Sequence, residues 1–482
     1  MKKLIEAYIL TLWRAIRELL ADPVVTLKLK SALILSELRW YRAQAPLEVL
    51  FLLKGGTMAN YQPQRGTYDA YYEDALNIEK IVDELKSLSS IYGFTPIHIP
   101  TYESTSLFAR SAGDSSDIVT KEMFNFLDKS GRDICLRPEL TAGVMRAIVT
   151  NKLYATRDLP LKLSYFGSAF RYERPQAGRY REFKQFGIEN VGITSYLNDA
   201  DTIIFGYRAL KKLGFPHVIL KINSLGDEES RNNYRNALKD FFKDKIESMC
   251  PDCKKRFETN PLRILDCKVK EDQEIIKDAP KIQDYLSEAS KVYFSNILKV
   301  LDENGVEYQI DYSLVRGLDY YSHVVFEYHY ILEDGTSLGA IGAGGHYDNL
   351  VKEIGGPSLS SVGLAFGIER LNILLKEIDP ESYSKVKLDC YLMALGENNI
   401  PYLFSLCLKL RENGFSSDMS FENKSLGASF KIANRKNARF ALILGDDERN
   451  RNVIQLKDLQ KQEQIEVSLD ELVETLKLKK GE

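Results

Sequence analysis

The feature that most restricts the fold is a pair of strand-like runs, Leu161–Tyr172 and Phe183–Val191, joined by a loop crowded with arginine. Arg171, Arg174, Arg179 and Arg181 fall within eleven residues around Pro175 and Gly178. Such runs call for a long antiparallel pair, and the polar residues recurring within them fit a sheet built around one site. Arginine's planar fork grips phosphate oxygens through two parallel hydrogen bonds. Phe183, at the loop exit, offers a ring for stacking on a purine. A solvated charged hairpin is the other reading of the same loop.

The rest of the chain extends this pattern. Leu76, Ile78, Ile81, Val82, Leu85 and Leu88 recur at helical spacing over Asp74–Ser90, with Gly93 as the stop and an extended Thr95–Pro100 beyond it. Asp133–Arg137, Val218–Ser224, Tyr308–Ile310 and Val324–Tyr330 read as strands, and residues 228–305 as a helical insertion. A glycine cluster, Gly339–Gly345, precedes a helix over Gly367–Ile378. Strands around one site, interrupted by helices, predict an α+β domain over residues 58–380. Polar Pro380–Lys387 reads as a linker, and Cys390–Leu395, Phe440–Leu444 and Val453–Leu456 as strands of a small α/β domain over 386–482.

A net charge of −3 leaves any nucleic-acid contact to a local patch. Six scattered cysteines make no disulfide framework and point to a reducing, cytoplasmic compartment. Residues 1–57 hold nine basic and five acidic side chains, and their apolar runs break off before the roughly 18 residues of a membrane span. We read this extension as lying ahead of a natural start at Met58 and outside the functional protein. A membrane-surface amphipathic anchor is the alternative.

In Gly363-Leu364-Ala365-Phe366-Gly367-Ile368-Glu369-Arg370-Leu371, small residues let a strand pass close to a helix, with Arg370 in the helix's first, positive turn. This segment and the arginine loop resemble motifs 3 and 2 of the class II aminoacyl-tRNA synthetases. The helix before Pro100 resembles their motif 1, the dimer interface. Leu314-Val315-Arg316-Gly317-Leu318-Asp319-Tyr320-Tyr321 and Gly344-Gly345-His346-Tyr347-Asp348 resemble the two signatures of bacterial histidyl-tRNA synthetases. Leu136–Thr141 and Glu182–Gly192 fit the same family, and the resemblance spans Met58–Leu478.

The resemblance implies a class II antiparallel-sheet catalytic domain with a helical insertion, then a C-terminal α/β anticodon-binding domain. It implies a homodimer, away from membranes, that ligates L-histidine to tRNA(His) with ATP and Mg²⁺ through a histidyl-adenylate, releasing AMP and pyrophosphate. A non-catalytic histidine-sensing regulatory paralogue is the alternative. Carried over by position, Glu139, Thr141 and Gln185 hold the α-amino group. Glu189 and Tyr321 bond the imidazole, and Tyr320 lines the pocket. Arg171 binds the α-phosphate and the reacting carboxylate, with Arg316 beside it as a fixed cation. Glu173 faces the adenine amino group, Phe183 stacks on the base, and Arg179 and Arg370 hold the outer phosphates. The nucleophile is an ionised carboxylate, so cations rather than a general base carry the catalysis. A site that hydrogen-bonds imidazole rejects apolar analogues without proofreading, so no editing domain is expected.

For the tRNA, the resemblance implies contacts from Arg174 and Gln176 with the acceptor end. Lys431, Arg435 and Arg439, spaced i, i+4, i+8, make one basic face in the C-terminal domain; a solvated helix face is the alternative. Two positions depart from the family: His346 stands where arginine is usual and is read as structural, and Leu140 stands where glycine is frequent, crowding the pocket entrance. Cys250-Pro251-Asp252-Cys253 with Cys267 has a zinc-like spacing but shows three ligands of the usual four, so zinc is not expected and no metal is assigned.

Overall fold

The computed structural model describes residues 61–112, 118–315, 320–380 and 387–481. The 1–57 extension, Arg316–Asp319 and most of the expected linker lie outside the described residues.

Eight strands form the principal sheet, in the order β1 (Thr95–Pro96), β5 (Leu161–Phe170), β6 (Glu182–Val191), β11 (Ser361–Gly367), β10 (Ala340–Tyr347), β9 (Ser322–His329), β7 (Ile219–Gly226) and β8 (Tyr308–Ile310). The six inner strands are antiparallel, and β1 and β8 lie parallel to their neighbours at the two edges. A second, small antiparallel sheet has β4 (Asp133–Leu136) between β2 (Tyr102–Ser104) and β3 (Phe124–Leu127). The segment read only as a glycine cluster is therefore a central strand, β10. Its glycines admit neighbouring rings: a Cβ on Gly342 would meet Phe366, and one on Gly345 would meet Tyr321.

The strands' two-residue period sorts their side chains. Phe186 and Ile188 of β6, Leu364 and Phe366 of β11, and Phe326 and Tyr328 of β9 enter the main core. Helix α1 (Glu73–Ile91) adds Ile78, Ile81, Val82 and Leu85 to that core, the helical spacing seen in the sequence. Helix α2 (Thr141–Thr150) instead packs Val144, Met145 and Ile148 with Leu161 and Tyr165 of β5 in a second cluster. Helix α3 (Tyr196–Leu213) starts where Ser195 accepts the Leu197 N–H and ends at left-handed Gly214. The intervening strand residues, Gln185, Glu189, Gly363, Ala365 and Glu327 among them, line a cavity of about 720 Å³ on the other face.

The insertion begins with α4 (Glu228–Phe242), α5 (Pro251–Thr259) and α6 (Lys270–Ile276), which gather around Tyr234, Leu238, Phe242, Cys253 and Ile264. Its last helix, α7 (Glu288–Glu303), puts Ile297 and Leu301 into the main core instead. Helix α8 (Ile368–Ile378) follows β11 directly.

The C-terminal sheet has the order β13 (Ser417–Met419), β12 (Leu388–Ala394), β14 (Ala438–Leu444), β15 (Val453–Asp458), β16 (Glu463–Ser468), parallel from β13 to β14 and antiparallel after that. Helices α9 (Ile400–Glu412) and α11 (Leu472–Lys480) cover one core around Leu392, Leu442 and Leu456, and α10 (Leu426–Arg435) packs on the other face through Ala433.

Candidate active site

One end of the cavity is built from buried carboxylates. Glu139 lies just ahead of α2 and accepts the backbone N–H groups of Thr141 at 2.6 Å and Ala142 at 2.9 Å. The helix's unpaired N-terminal donors thus fix one carboxylate. Glu189 on β6 is fully buried and accepts the Thr141 hydroxyl at 2.7 Å and the Tyr347 hydroxyl. It fits because its cross-strand neighbour is Gly363, where a Cβ would sit 1.9 Å from a Glu189 oxygen. Burial pushes the Glu189 carboxyl up to about 8, against the hydrogen bonds from Tyr347 and Thr141. Burial likewise raises Glu139, opposed by its backbone N–H donors. Tyr320, Tyr321 and Tyr347 close this end, their ring centroids 4.6 to 6.3 Å apart. Gln185, two turns of the pleat along β6 from Glu189, also lines the cavity.

The other end is cationic. Arg171 leaves β5 and donates from Nε to the Pro138 carbonyl at 2.9 Å, which aims the rest of its fork. Its guanidinium carbon lies 5.4 Å from the centroid of the Phe183 ring. Arg370, in the first turn of α8, donates to the carbonyls of Gly178, at 3.0 Å, and Ala340, so it ties the arginine loop to β10. Burial and then Arg179 lower the Arg370 pKa. Arg179 pairs with Glu173 at 3.2 Å, and both line the cavity. The loop between them is closed by backbone hydrogen bonds between Gln176 and Arg179. Buried hydrogen-bonding groups at one end and anchored guanidiniums at the other make a cleft for a small polar molecule joined to a polyphosphate.

The family model for histidyl-tRNA synthetase matches residues 66–371, and that for the anticodon binding domain matches residues 389–479. The chain belongs to the histidyl-tRNA synthetase family. It is 45% identical over 420 residues to the histidine–tRNA ligase of Bacillus subtilis, covering 86% of this chain and 98% of that one. The histidine–tRNA ligase of Thermosipho melanesiensis is 44% identical over 415 residues, with 86% and 98% covered. The crystal structure of apo S. aureus histidyl-tRNA synthetase superposes with a TM-score of 0.73 at 34% identity, covering 86% of this chain and all of that one. This is the expected class II fold, with an antiparallel-sheet catalytic domain and a C-terminal anticodon-binding domain.

Of the residues expected at the site, Glu139, Thr141, Arg171, Glu173, Arg179, Phe183, Gln185, Glu189, Tyr320, Tyr321 and Arg370 line the one cavity. Arg316 lies outside the described residues. Sequence reasoning missed Tyr165, whose hydroxyl is 3.4 Å from that of Thr141, and gave no role to Tyr347. Leu140 does not crowd the cavity; it is buried in the cluster with Val144 and Tyr165. His346 is fully buried, with Nδ1 2.9 Å from Asp199 and Nε2 3.0 Å from Asp348. Burial pushes its pKa down, but the two carboxylates outweigh this and raise it to about 9. The two carboxylates thus favour the protonated imidazole, a cation at the position where the resemblance leads to an arginine.

Arg174 and Gln176 are exposed on the arginine loop. Lys431 and Arg435 share an exposed face of α10, but Arg439 does not join them. The helix stops at Arg435 because Asn437 turns left-handed, and Arg439 sits on β14. Its guanidinium caps the carbonyls of Lys479 and Lys480 at the end of α11. The cysteine set is also fuller than the sequence indicated: Asp272, at the start of α6, adds a fourth donor to Cys250, Cys253 and Cys267.

Proposed function

We propose that this protein ligates L-histidine to tRNA(His) in two steps, histidyl-adenylate formation from ATP and transfer to the tRNA, with release of pyrophosphate and then AMP. The observation that carries this reading is the single cavity with buried Glu189, Glu139 and tyrosines at one end and Arg171 and Arg370 at the other. Glu189 and Tyr321 take the imidazole, with Tyr320 against its ring. Glu139, Thr141 and Gln185 take the α-amino group. The substrate carboxylate then lies toward Arg171, where it attacks the α-phosphorus in line. Arg171 and Arg316 hold the α-phosphate, and Arg370 and Arg179 hold the leaving pyrophosphate. Phe183 stacks on adenine while Glu173 accepts from its amino group, so Glu173 must give up or share Arg179. Glu327 lines the cavity close enough to act on Arg370, a carboxylate suited to a hydrated Mg²⁺ carried in with ATP.

The same reading puts the acceptor end of the tRNA at Arg174 and Gln176, and its anticodon end near Lys431 and Arg435. It makes the working form a homodimer in the cytoplasm; among the described residues, no helix is long and apolar enough to cross a membrane. The test is ATP–pyrophosphate exchange with each amino acid in turn, then charging of tRNA(His). Exchange with histidine alone, abolished in Arg316→Ala, supports the assignment. A folded protein that binds histidine but exchanges nothing overturns it in favour of the histidine-sensing role.

A further inference from the structure

We propose that the helical insertion binds one structural zinc ion through Cys250, Cys253, Cys267 and Asp272. Their donor atoms all lie within 4.8 Å of one another, a cage with room for a single ion. The Cys250 and Cys267 sulfurs are 3.8 Å apart. A tetrahedral ion with zinc–sulfur bonds of about 2.3 Å places its sulfurs about 3.8 Å from each other. The Cys267 sulfur lies 3.2 Å from an Asp272 oxygen, a few tenths of an ångström inside the corresponding sulfur–oxygen edge.

The chemistry of the cluster points the same way. Asp272 is 2% exposed, yet its hydrogen-bond partners are the Cys250 N–H and thiols, with no lysine or arginine paired to it among the described residues. A carboxylate buried without a cation is costly, and a divalent ion supplies the missing charge. Cys253 and Cys267 are buried with it. Pro251 starts α5 immediately after Cys250, which folds the Cys250–Cys253 pair back on itself. The Cys250 N–H reaches both Asp272 oxygens at 3.2 Å, the outer contact that typically orients a metal-bound carboxylate. Thiolate-rich sets favour zinc over magnesium or calcium, and four protein donors leave no position for a catalytic water.

The ion's place in the fold gives it a purpose. Leu265, Asp266, Cys267, Lys268 and Gln273 line the active-site cavity, so the site fastens the insertion to the cavity wall. The experiment is elemental analysis of the full chain, purified under reducing conditions without added metal or chelator. One zinc per chain is expected, with loss in Cys253→Ser and Asp272→Ala and retention in Asp272→Cys and in the distant Cys407→Ala. Replacement by Co²⁺ in the unaltered chain should give the intense visible bands of a tetrahedral thiolate site, a readout that survives if a variant fails to fold. A chain that carries no zinc and gives no tetrahedral cobalt spectrum overturns the proposal. So does a Cys250–Cys267 disulfide in the freshly isolated, unreduced protein.

Discussion

The two ends of the cavity present opposite chemistry, buried carboxyls at one and guanidiniums at the other, and they are built in opposite ways. At the carboxylate end, Glu139 and Glu189 are buried, and each is held by groups on other elements: a helix N-terminus, a hydroxyl, a phenol, a glycine opposite. At the cationic end, Arg171 and Arg370 are tied by backbone carbonyls, and Arg179 by a carboxylate that is itself only part-buried. Selectivity for one amino acid needs a rigid, dry pocket whose polar groups suffer when unpaired. Stabilising charge in transit needs cations placed in advance but still wet enough to take in and release a polyphosphate. Under the proposed function, this difference assigns the choice of amino acid to the carboxyl end and the rate of its reaction to the arginine end.

The largest effect should come from the arginine end. Arg171→Ala should lower kcat for histidine-dependent exchange by about 10³, with a much smaller loss of histidine affinity from its contact with the substrate carboxylate. Loss of histidine binding with kcat intact would break the division between the ends. Glu189→Gln keeps the shape but gives Thr141 and Tyr347, both donors, an amide to face. It should cost about 10² in kcat/KM for histidine, mostly through KM. An equal loss for ATP would argue against a separate amino-acid end. Gly363→Ala puts a methyl into the Glu189 carboxylate and should lower stability by about 1–3 kcal/mol in denaturant unfolding, together with weaker histidine binding.

The buried His346 separates structural charge from site charge. Its folded pKa, raised to about 9, lies above the ordinary value of 6.5. Its contribution to stability is therefore complete below about 6.5 and is lost as pH rises through about 9. Melting temperature should fall by a few degrees over that range. His346→Arg, with a charge that does not titrate, should flatten the profile. An unchanged slope in that variant would assign the pH dependence elsewhere.

Residues close in sequence and periodic in pattern were the legible ones. The α1 helix, the β5–β6 pair and the arginine loop announce themselves through spacing, and the family resemblance brought Glu139, Glu189 and Tyr321 together across 182 residue numbers, from 139 to 321. What stayed hidden depends on partners that pattern cannot supply. His346 reads as an isolated histidine until Asp199 is found beside it, 147 residues away. Asp272 looks like one more charge on a polar helix until the fold sets it against three thiols. Strand β16, mostly exposed at a sheet edge, shows only Ile465 and Val467 on one face, too short an alternation to stand out as a strand. Arg439 was put on a helix because an i+4 count does not see Asn437 turn the chain.

That last correction sharpens the smallest prediction. With Arg439 spent on the end of α11, the exposed basic face of α10 reduces to Lys431 and Arg435. Two phosphate contacts are worth little each and weaken with salt. Lys431→Glu with Arg435→Glu should raise the KM for tRNA(His) by a few-fold, roughly the scale of two lost phosphate contacts, with the difference shrinking as salt is added. Under the proposed function this face meets only the tRNA, so pyrophosphate exchange should be unchanged. Arg439→Ala should behave differently: it frees helix-end carbonyls, so it should lower thermal stability while leaving the salt dependence of charging as it was. If Arg439→Ala instead matched the double variant in salt dependence, the guanidinium would have to leave α11 when tRNA binds, and the three-residue basic face would be restored in the complex.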